Sequence, residues 1–512
     1  MSTPQLSREL LAKNFVLPPN VTCGPMQELP EKIIQFGEGN FLRGFTDWMV
    51  DAMNAQGVFN GKAVIVQPIK VGIAKVVTDQ DGLYTLILRG VQGGKVVENR
   101  RIITSVSRGL NPYDDWVDVV NCVRNPALRI FFSNTTEAGI AYVKEAYDGE
   151  HCPESFPAKV AALLWERFQA LGQVAAPGMI FLPCELIERN GDNLKKFILK
   201  HAADWGLGDA FSAWIKNQNH FLNTLVDRIV PGYPSAEVEQ LTEQLGYADA
   251  LLDTGEIFHL WVIEGPKQLA EELPFHKAGL NVIWTDDMTP YRTRKVRILN
   301  GAHTASVLAA FGAGLNTVLE MMQDEIFGKF VRQAVFDEIM PAIRLDEKEK
   351  TEYAEAVLER FRNPFIKHEL LSISLNSVSK WKVRVLPSLL DYLRQRKALP
   401  PALAFSLAAL IHFYQGVGTS DRELRGTRKG VPYPIRDDLD VLSFFEKRWH
   451  AFRKNHDLRA LVTIVLAKDE MWGMDLTTVP ALMGTVTANL QTILLDGPRA
   501  AAAAVLKNEP VA

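Results

Sequence analysis

Short apolar runs separated by longer stretches of helical spacing dominate the first part of the chain. Ile33–Phe36, Ala63–Val66, Tyr84–Leu88, Leu128–Phe132 and Gly178–Leu182 are each only four or five residues long. Runs of that length, bounded by polar turns, predict buried strands, and their alternation with amphipathic stretches predicts a mostly parallel sheet with crossover helices. From about Tyr291 the period changes. Ala302–Met322, Phe327–Ile343, Lys348–Arg362, Pro387–Arg396 and Leu403–Tyr414 carry apolar residues at helical spacing, and strand patterns nearly vanish. Gln415–Pro434, rich in Gly, Pro and charge, predicts a surface loop. Ala500–Ala504 predicts a C-terminal helix.

The first run opens directly into Gly37-Glu38-Gly39-Asn40-Phe41-Leu42-Arg43-Gly44, followed by the amphipathic stretch Phe45–Met53. A Gly-x-Gly turn between strand and helix lets the backbone approach a pyrophosphate, whose charge meets the helix N-terminus. The third glycine is displaced: Leu42 holds its usual place and Gly44 follows two residues later. The stretch expected to hold a dinucleotide therefore comprises Ile33, Ile34, Gln35 and Phe36 with the turn from Gly37 to Gly44. The second run ends Val66-Gln67-Pro68, with no carboxylate for a ribose 2′-hydroxyl and no arginine for a 2′-phosphate, so NAD is favoured over NADP only mildly. Asn134, Thr135 and Glu137 follow another run and stand where ligands bind, at the carboxyl end of a parallel strand; the same residues also suit a helix cap. Asn190, in Asn190-Gly191 after the last run, can reach the same cleft or simply make a turn. These features predict an α/β chain: an irregular lead-in over 1–29, a Rossmann-like domain with a mostly parallel sheet over 30–285, and a largely α-helical substrate and catalytic domain over 286–512.

Lys295, Asn300 and His303 lie in the run from Tyr291 to Thr304. On an α-helix, at about 100° per residue, Asn300 and His303 are roughly 60° apart and all three fit an arc of about 140°. A lysine that moves a hydroxyl proton near neutral pH needs a lowered pKa, which burial and the neighbouring Arg294 and Arg297 would supply. With no metal ligand among them, the three suggest metal-free alcohol oxidation or ketone reduction, although a basic helix start with a packing histidine has the same composition. Asp227 and Arg228, inside an apolar frame, either order a loop or line a substrate site. Lys380, Lys382 and Arg384 form either a solvated basic face or a site for a substrate carboxylate.

Charge and cysteine usage narrow the partners. Lys plus Arg (56) against Asp plus Glu (60) gives a net charge of −4, so no global basic field recruits nucleic acid. Four scattered cysteines form no Cys-x-x-Cys pair and the histidines no His-x3-His pair, which argues against a disulfide framework and against a metal site. The start lacks a signal-like apolar stretch and no apolar run is long enough for a membrane span. A small-molecule partner and a cytoplasmic location are expected; nothing in the sequence sets the oligomeric state.

Together these segments resemble the long-chain polyol and sugar-acid dehydrogenases of the mannitol dehydrogenase family, from about Lys32 through Trp472. Val226–Pro231 and the Lys295/Asn300/His303 block look like that family's two signature stretches. Ile33–Arg43, Ser133–Ile140, Leu299–Ala305 and Arg360–His368 look most like its sugar-acid-reducing members. The resemblance implies NADH-dependent reduction of a keto-sugar acid, with Lys295 as general acid and base, Asn300 and Asn190 on the reacting oxygen, and His303 orienting the substrate. Asp227, Arg228, Lys380 and Arg384 are the candidate substrate-binding residues. Where polyol members have Cys-Asp-Asn, this chain has Cys184-Glu185-Leu186, which removes one polar contact and fits a changed substrate. A reductase of an epimeric keto-acid, a polyol dehydrogenase and a non-catalytic dinucleotide-binding protein remain alternatives.

Overall fold

Strands β1 (Glu31–Phe36), β2 (Lys62–Val66), β3 (Val106–Leu110), β4 (Ile130–Ser133), β5 (Ile180–Pro183) and β6 (His220–Phe221) pair in parallel, in the spatial order β3-β2-β1-β4-β5-β6. The order reverses between β1 and β4, and ligands bind outside the strand ends at such a switch point. The inner strands read as unbroken apolar runs because helices or other sheets cover both faces. Their alternation sends Ile34, Phe36 and Phe131 to one core with helices Trp116–Arg124, Phe156–Leu171 and Asn190–Asp204. It sends Ile33, Ile130 and Phe132 to another with Phe45, Met49, Met53 and Trp261. The computed structural model describes residues 3–13, 15–136, 138–172, 178–420 and 422–507. It divides into two compact units, Met1–Met288 and Thr289–Ala512.

Three features of the first unit depart from the sequence reading. The Tyr84–Leu88 run belongs to strand Tyr84–Gln92, which forms an antiparallel hairpin with Lys95–Ile103 in a separate four-stranded sheet completed by Val21–Cys23 and Asp253–Glu256. The third strand of the central sheet is β3 instead. Its Val-Ser-Arg-Gly-Leu sequence is half-exposed at the sheet edge and lacks an apolar run. The lead-in is not irregular: it contains helix Arg8–Ala12 and strand Val21–Cys23, with Leu6 and Val21 buried.

The second unit is mainly helical. Helices Gly301–Gly312 and Pro401–Phe413 are apolar nearly all round, buried, and packed on Leu482–Val505. That last helix bends at Gly497-Pro498, where Gly497 has φ 84°. Ala302–Met322 splits into two helices, Gly301–Gly312 and Val318–Gln323. The expected loop at 415–434 is instead a three-stranded antiparallel sheet: Gly416–Ser420, Glu423–Arg428 and Val431–Arg436. Its strands are short and mostly exposed, so they carry charge and glycine where a buried strand carries apolar residues. No helix among the described residues is long and apolar enough to cross a membrane.

Candidate active site

In the first unit β1 ends at a turn that only glycine fits. Gly37 has φ +125°, and a β-carbon there would lie 3.0 Å from the Asn134 carbonyl oxygen and 3.1 Å from Leu42 Cδ1. Gly39 precedes the helix that begins at Asn40; no side chain caps that helix, and a β-carbon at Gly39 would meet nothing within 4 Å. An uncapped helix start beside open space provides backbone N–H donors and positive dipole for a pyrophosphate, so this turn fits a dinucleotide. The helix contains a π turn over Arg43–Asp47 before continuing as Trp48–Ala55. Gly44, inside that turn, performs the close packing of a third glycine: its β-carbon would lie 2.9 Å from Val230 Cγ1.

Most flanking side chains support this turn from below. Ile33, Ile34 and Phe36 are fully buried in the cores. Gln35 donates to the Gly37 carbonyl at 3.2 Å and to Asp47 at 3.3 Å, and accepts from Thr46 at 3.1 Å. Arg43 spends its guanidinium on the Glu38 and Leu251 carbonyls and on Asn40 Oδ1. Phe41 stacks on Phe45, and Glu38 is buried with its carboxyl pushed upward by that burial. Asn134 donates its backbone N–H to the Phe36 carbonyl at 3.0 Å. Thr135 donates N–H and hydroxyl to Glu185 Oε1 at 2.9 and 3.0 Å. Glu185 also accepts from Ser133 and so ties the ends of β4 and β5 together; the sequence reading noted it only as a departure from the polyol pattern. Among the described residues the next helix after β4 is Phe156–Leu171, and Glu137 lies outside them.

Two of the expected site residues are engaged within the fold. Asn190 is fully buried and its amide is saturated: Nδ2 donates to the carbonyls of Pro183, Glu185 and Thr224 at 2.9 to 3.1 Å, while Oδ1 accepts from the N–H groups of Gly191 and Thr224. With no hydrogen-bonding capacity left for a substrate oxygen, it fastens the start of its helix to the adjoining strands. Arg228 is likewise spent on the backbone. It donates to the carbonyls of Phe258 (3.0 Å), Gly44 (2.7 Å) and Ile257 (3.1 Å), and its guanidinium lies 4.1 Å from the Trp48 ring centroid. The π turn interrupts the ordinary helical ladder, and its carbonyls find donors in Arg228 and, at Arg43, in the Tyr84 hydroxyl. Asp227 is buried on the strand Asn223–Asp227, paired opposite Leu260.

In the second unit, Lys295, Asn300 and His303 lie on one continuous helical rod: α over Thr289–Arg294, π over Lys295–Asn300 and α over Gly301–Gly312. The uniform α-helix of the sequence reading is therefore interrupted where the polar residues stand. An i→i+5 turn stacks Lys295 and Asn300 more nearly above one another than an α-helix does, and single π turns recur at functional sites. Arg297 is drawn away by Asp391, and Arg294 is buried over the rings of Tyr353 and Tyr291. Asn300 is half-buried, and its amide has no hydrogen-bond partner among the described residues.

His303 is buried, stacked 4.1 Å from Phe361 and edge-on to His368 at 5.2 Å, with Nε2 unpartnered among the described residues. Burial, then the positive fields of His368, Arg360, Arg384 and Lys380, hold its pKa well below the usual histidine value. The imidazole is therefore neutral at pH 7. Two of those cations come from the helix Ser377–Arg384, whose end packs against the rod: the Arg384 carbonyl lies 3.2 Å from where Gly301 would carry a β-carbon. Lys380 donates to the Ile373 carbonyl at 2.9 Å, and Lys382 lies against Gly473. Arg384 is half-buried, its pKa is lowered by desolvation, and its guanidinium has no hydrogen bond or ion pair among the described residues. Sequence reasoning gave Arg360 and His368 no role, because nothing in their spacing points at His303.

Comparison with known proteins adds to this geometry. Residues 31–277 match the mannitol dehydrogenase Rossmann domain, and residues 287–494 match the mannitol dehydrogenase C-terminal domain. An altronate oxidoreductase of Halalkalibacterium halodurans is 44% identical over 500 residues, covering 97% of this chain and 98% of that one. Among solved structures, D-sorbitol dehydrogenase in its substrate-free form superposes with a TM-score of 0.78 at 22% identity, over 97% of this chain and 100% of that one. Mannitol 2-dehydrogenase of Pseudomonas fluorescens, in a ternary complex with NAD and D-mannitol, gives 0.68 at 23% identity, over 99% and 100%. At those identities the two structures speak to the fold alone.

Proposed function

Because this chain belongs to the mannitol dehydrogenase family, we propose that it is an NAD-dependent tagaturonate reductase, interconverting D-tagaturonate and D-altronate in the cytoplasmic breakdown of hexuronates. Membership makes it a dinucleotide-dependent oxidoreductase of CH–OH groups. The observation that carries the sugar-acid reading is the half-buried guanidinium of Arg384, unpaired among the described residues, beside neutral His303. A desolvated cation without a partner among the described residues suits a carboxylate on the substrate, and a guanidinium suits it in a bidentate fork. The name of the altronate oxidoreductase relative supports the same class.

NADH, when bound, supplies the hydride, and the Gly37–Gly39 turn with the uncapped start at Asn40 would hold its pyrophosphate. In the reductive direction Lys295 gives a proton to the carbonyl oxygen and in the oxidative direction takes it from the hydroxyl. Asn300 donates its free amide N–H to that oxygen, which gains negative charge as the bond order falls. His303, neutral and with Nε2 open, hydrogen-bonds a substrate hydroxyl and fixes the sugar. Arg384 holds the carboxylate. Asn190 and Arg228 are scaffold in this scheme.

Following NADH absorbance with D-tagaturonate, D-fructuronate and D-fructose in parallel tests the proposal. Tagaturonate should give the highest kcat/KM. A higher value for fructuronate makes the chain a reductase of the epimeric acid, and fructose matching tagaturonate makes it a polyol dehydrogenase. Absence of turnover with all three removes the catalytic reading.

A further inference from the structure

Strand β2 runs out at Val66 into Gln67-Pro68 and offers no carboxylate where a sheet of this order meets an adenosine ribose. The fold nevertheless brings one there from the first turn. A β-carbon built on Gly72 would lie 2.1 Å from Glu38 Oε1 and 2.5 Å from Gln67 Cδ. The Glu38 carboxylate therefore reaches across from the Gly37–Gly39 turn to the backbone just beyond β2, where the Ile73 N–H donates to it. The Gln67 amide beside it is already engaged, donating to the Ile69 carbonyl at 2.7 Å and accepting from the Ala74 N–H at 3.3 Å. Gly72 has no positive φ that would call for glycine; its missing side chain makes room for this carboxylate.

We propose that Glu38 accepts hydrogen bonds from the adenosine ribose hydroxyls and, by its charge, excludes a 2′-phosphate, so that the turn itself selects NAD over NADP. This rests on the reading that a dinucleotide occupies the Gly37–Gly39 turn. An ionised carboxylate has about four acceptor sites and no donor, which suits a vicinal diol and repels a phosphate. The competing cation in the loop after β2 is Lys70. It pairs with Glu154 at 3.1 Å and lies 5.5 Å from the Tyr113 ring centroid, which directs its charge away from the free role a 2′-phosphate would need.

Calorimetric titration of the whole protein with NADH and NADPH, with no sugar present, tests the assignment separately from turnover. Wild type should bind NADH at least about tenfold more tightly than NADPH. Glu38→Gln should weaken NADH about tenfold, strengthen NADPH, and bring the two within about threefold, the scale expected for losing charge-assisted hydrogen bonds. Gly72→Ala keeps the charge but displaces the carboxylate, so NADH should weaken with no gain for NADPH; this variant probes the same contact even if Glu38→Gln does not fold, and undiminished NADH affinity in it would count against the assignment. An unchanged NADH-to-NADPH ratio in Glu38→Gln, or equal affinities in wild type, would overturn the proposal. So would a wild-type preference for NADPH that disappears in Lys70→Ala. Binding of neither nucleotide by wild type would overturn the dinucleotide reading as well.

Discussion

Replacing Arg384 with Met should remove the preference for an acidic substrate while leaving the fold intact. Methionine keeps an apolar stem where the half-buried arginine stem packs and deletes the guanidinium, which has no internal partner among the described residues. In the substrate complex that group is assigned a charge-assisted hydrogen-bonded pair with the carboxylate, on the order of 1.5 to 3 kcal/mol. At about 1.4 kcal/mol per factor of ten, kcat/KM for the keto-uronate should fall roughly 10- to 150-fold. A ketose of the same length without the carboxylate should stay within about threefold of wild type on the same scale. The free protein should lose no stability, because a desolvated cation near Lys380, Arg360 and His303 leaves with its repulsion. For the same reason the His303 pKa should rise in the variant, as read from its ring proton shifts. Steady-state NADH assays with both substrates and scanning calorimetry decide the matter. An equal loss on both substrates, or a melting temperature lower by several degrees, would show that Arg384 holds the structure together and does not read the acid.

Lys295→Ala should lower kcat by about 10² to 10⁴, as for loss of general acid–base catalysis, with calorimetric NADH affinity unchanged; activity within threefold of wild type would end its assigned role. Gly39→Val should fold normally, since its β-carbon meets nothing within 4 Å, yet bind NADH at least about tenfold more weakly by blocking the pyrophosphate; undiminished affinity in the folded variant would contradict the site. Arg228→Lys keeps the charge but replaces the planar fork that reaches three carbonyls with one compact ammonium, so urea denaturation should show a loss of about 2 to 4 kcal/mol with kcat/KM of the folded enzyme nearly unchanged. The opposite pattern would return Arg228 to the substrate site. Asp47, fully buried with one oxygen unpartnered, has its pKa pushed up to about 7 by burial. A folded pKa raised above the unfolded one favours folding most at low pH, and that contribution falls as pH rises through 7. Asp47→Asn should therefore gain stability over wild type more at pH 8 than at pH 5.5, and equal denaturation midpoints for the two proteins at both pH values would refute it.

The hydrophobic pattern determined the buried parallel strands, since residues covered on both faces must be apolar whatever their neighbours. It also determined the helical character of the second half, while residue identity alone marked the glycine turn after β1 and the Lys295/Asn300/His303 run. It failed at β3, where an edge position relieves the demand for apolar residues, and at Gly416–Arg436, where an exposed sheet and a loop have the same composition. Tertiary structure alone decided which polar side chains remain open to a ligand. Asn190 and Arg228 carry suitable groups in suitable motifs, yet their hydrogen-bonding capacity is consumed by carbonyls such as Thr224 and Phe258, more than 25 residues away in sequence. Arg384 has no such partner among the described residues, and Glu38 meets Gly72 only because parallel pairing of β1 with β2 brings their ends together. A side chain's chemistry is written in the sequence, but its unspent donors and acceptors depend on neighbours that only the folded chain supplies.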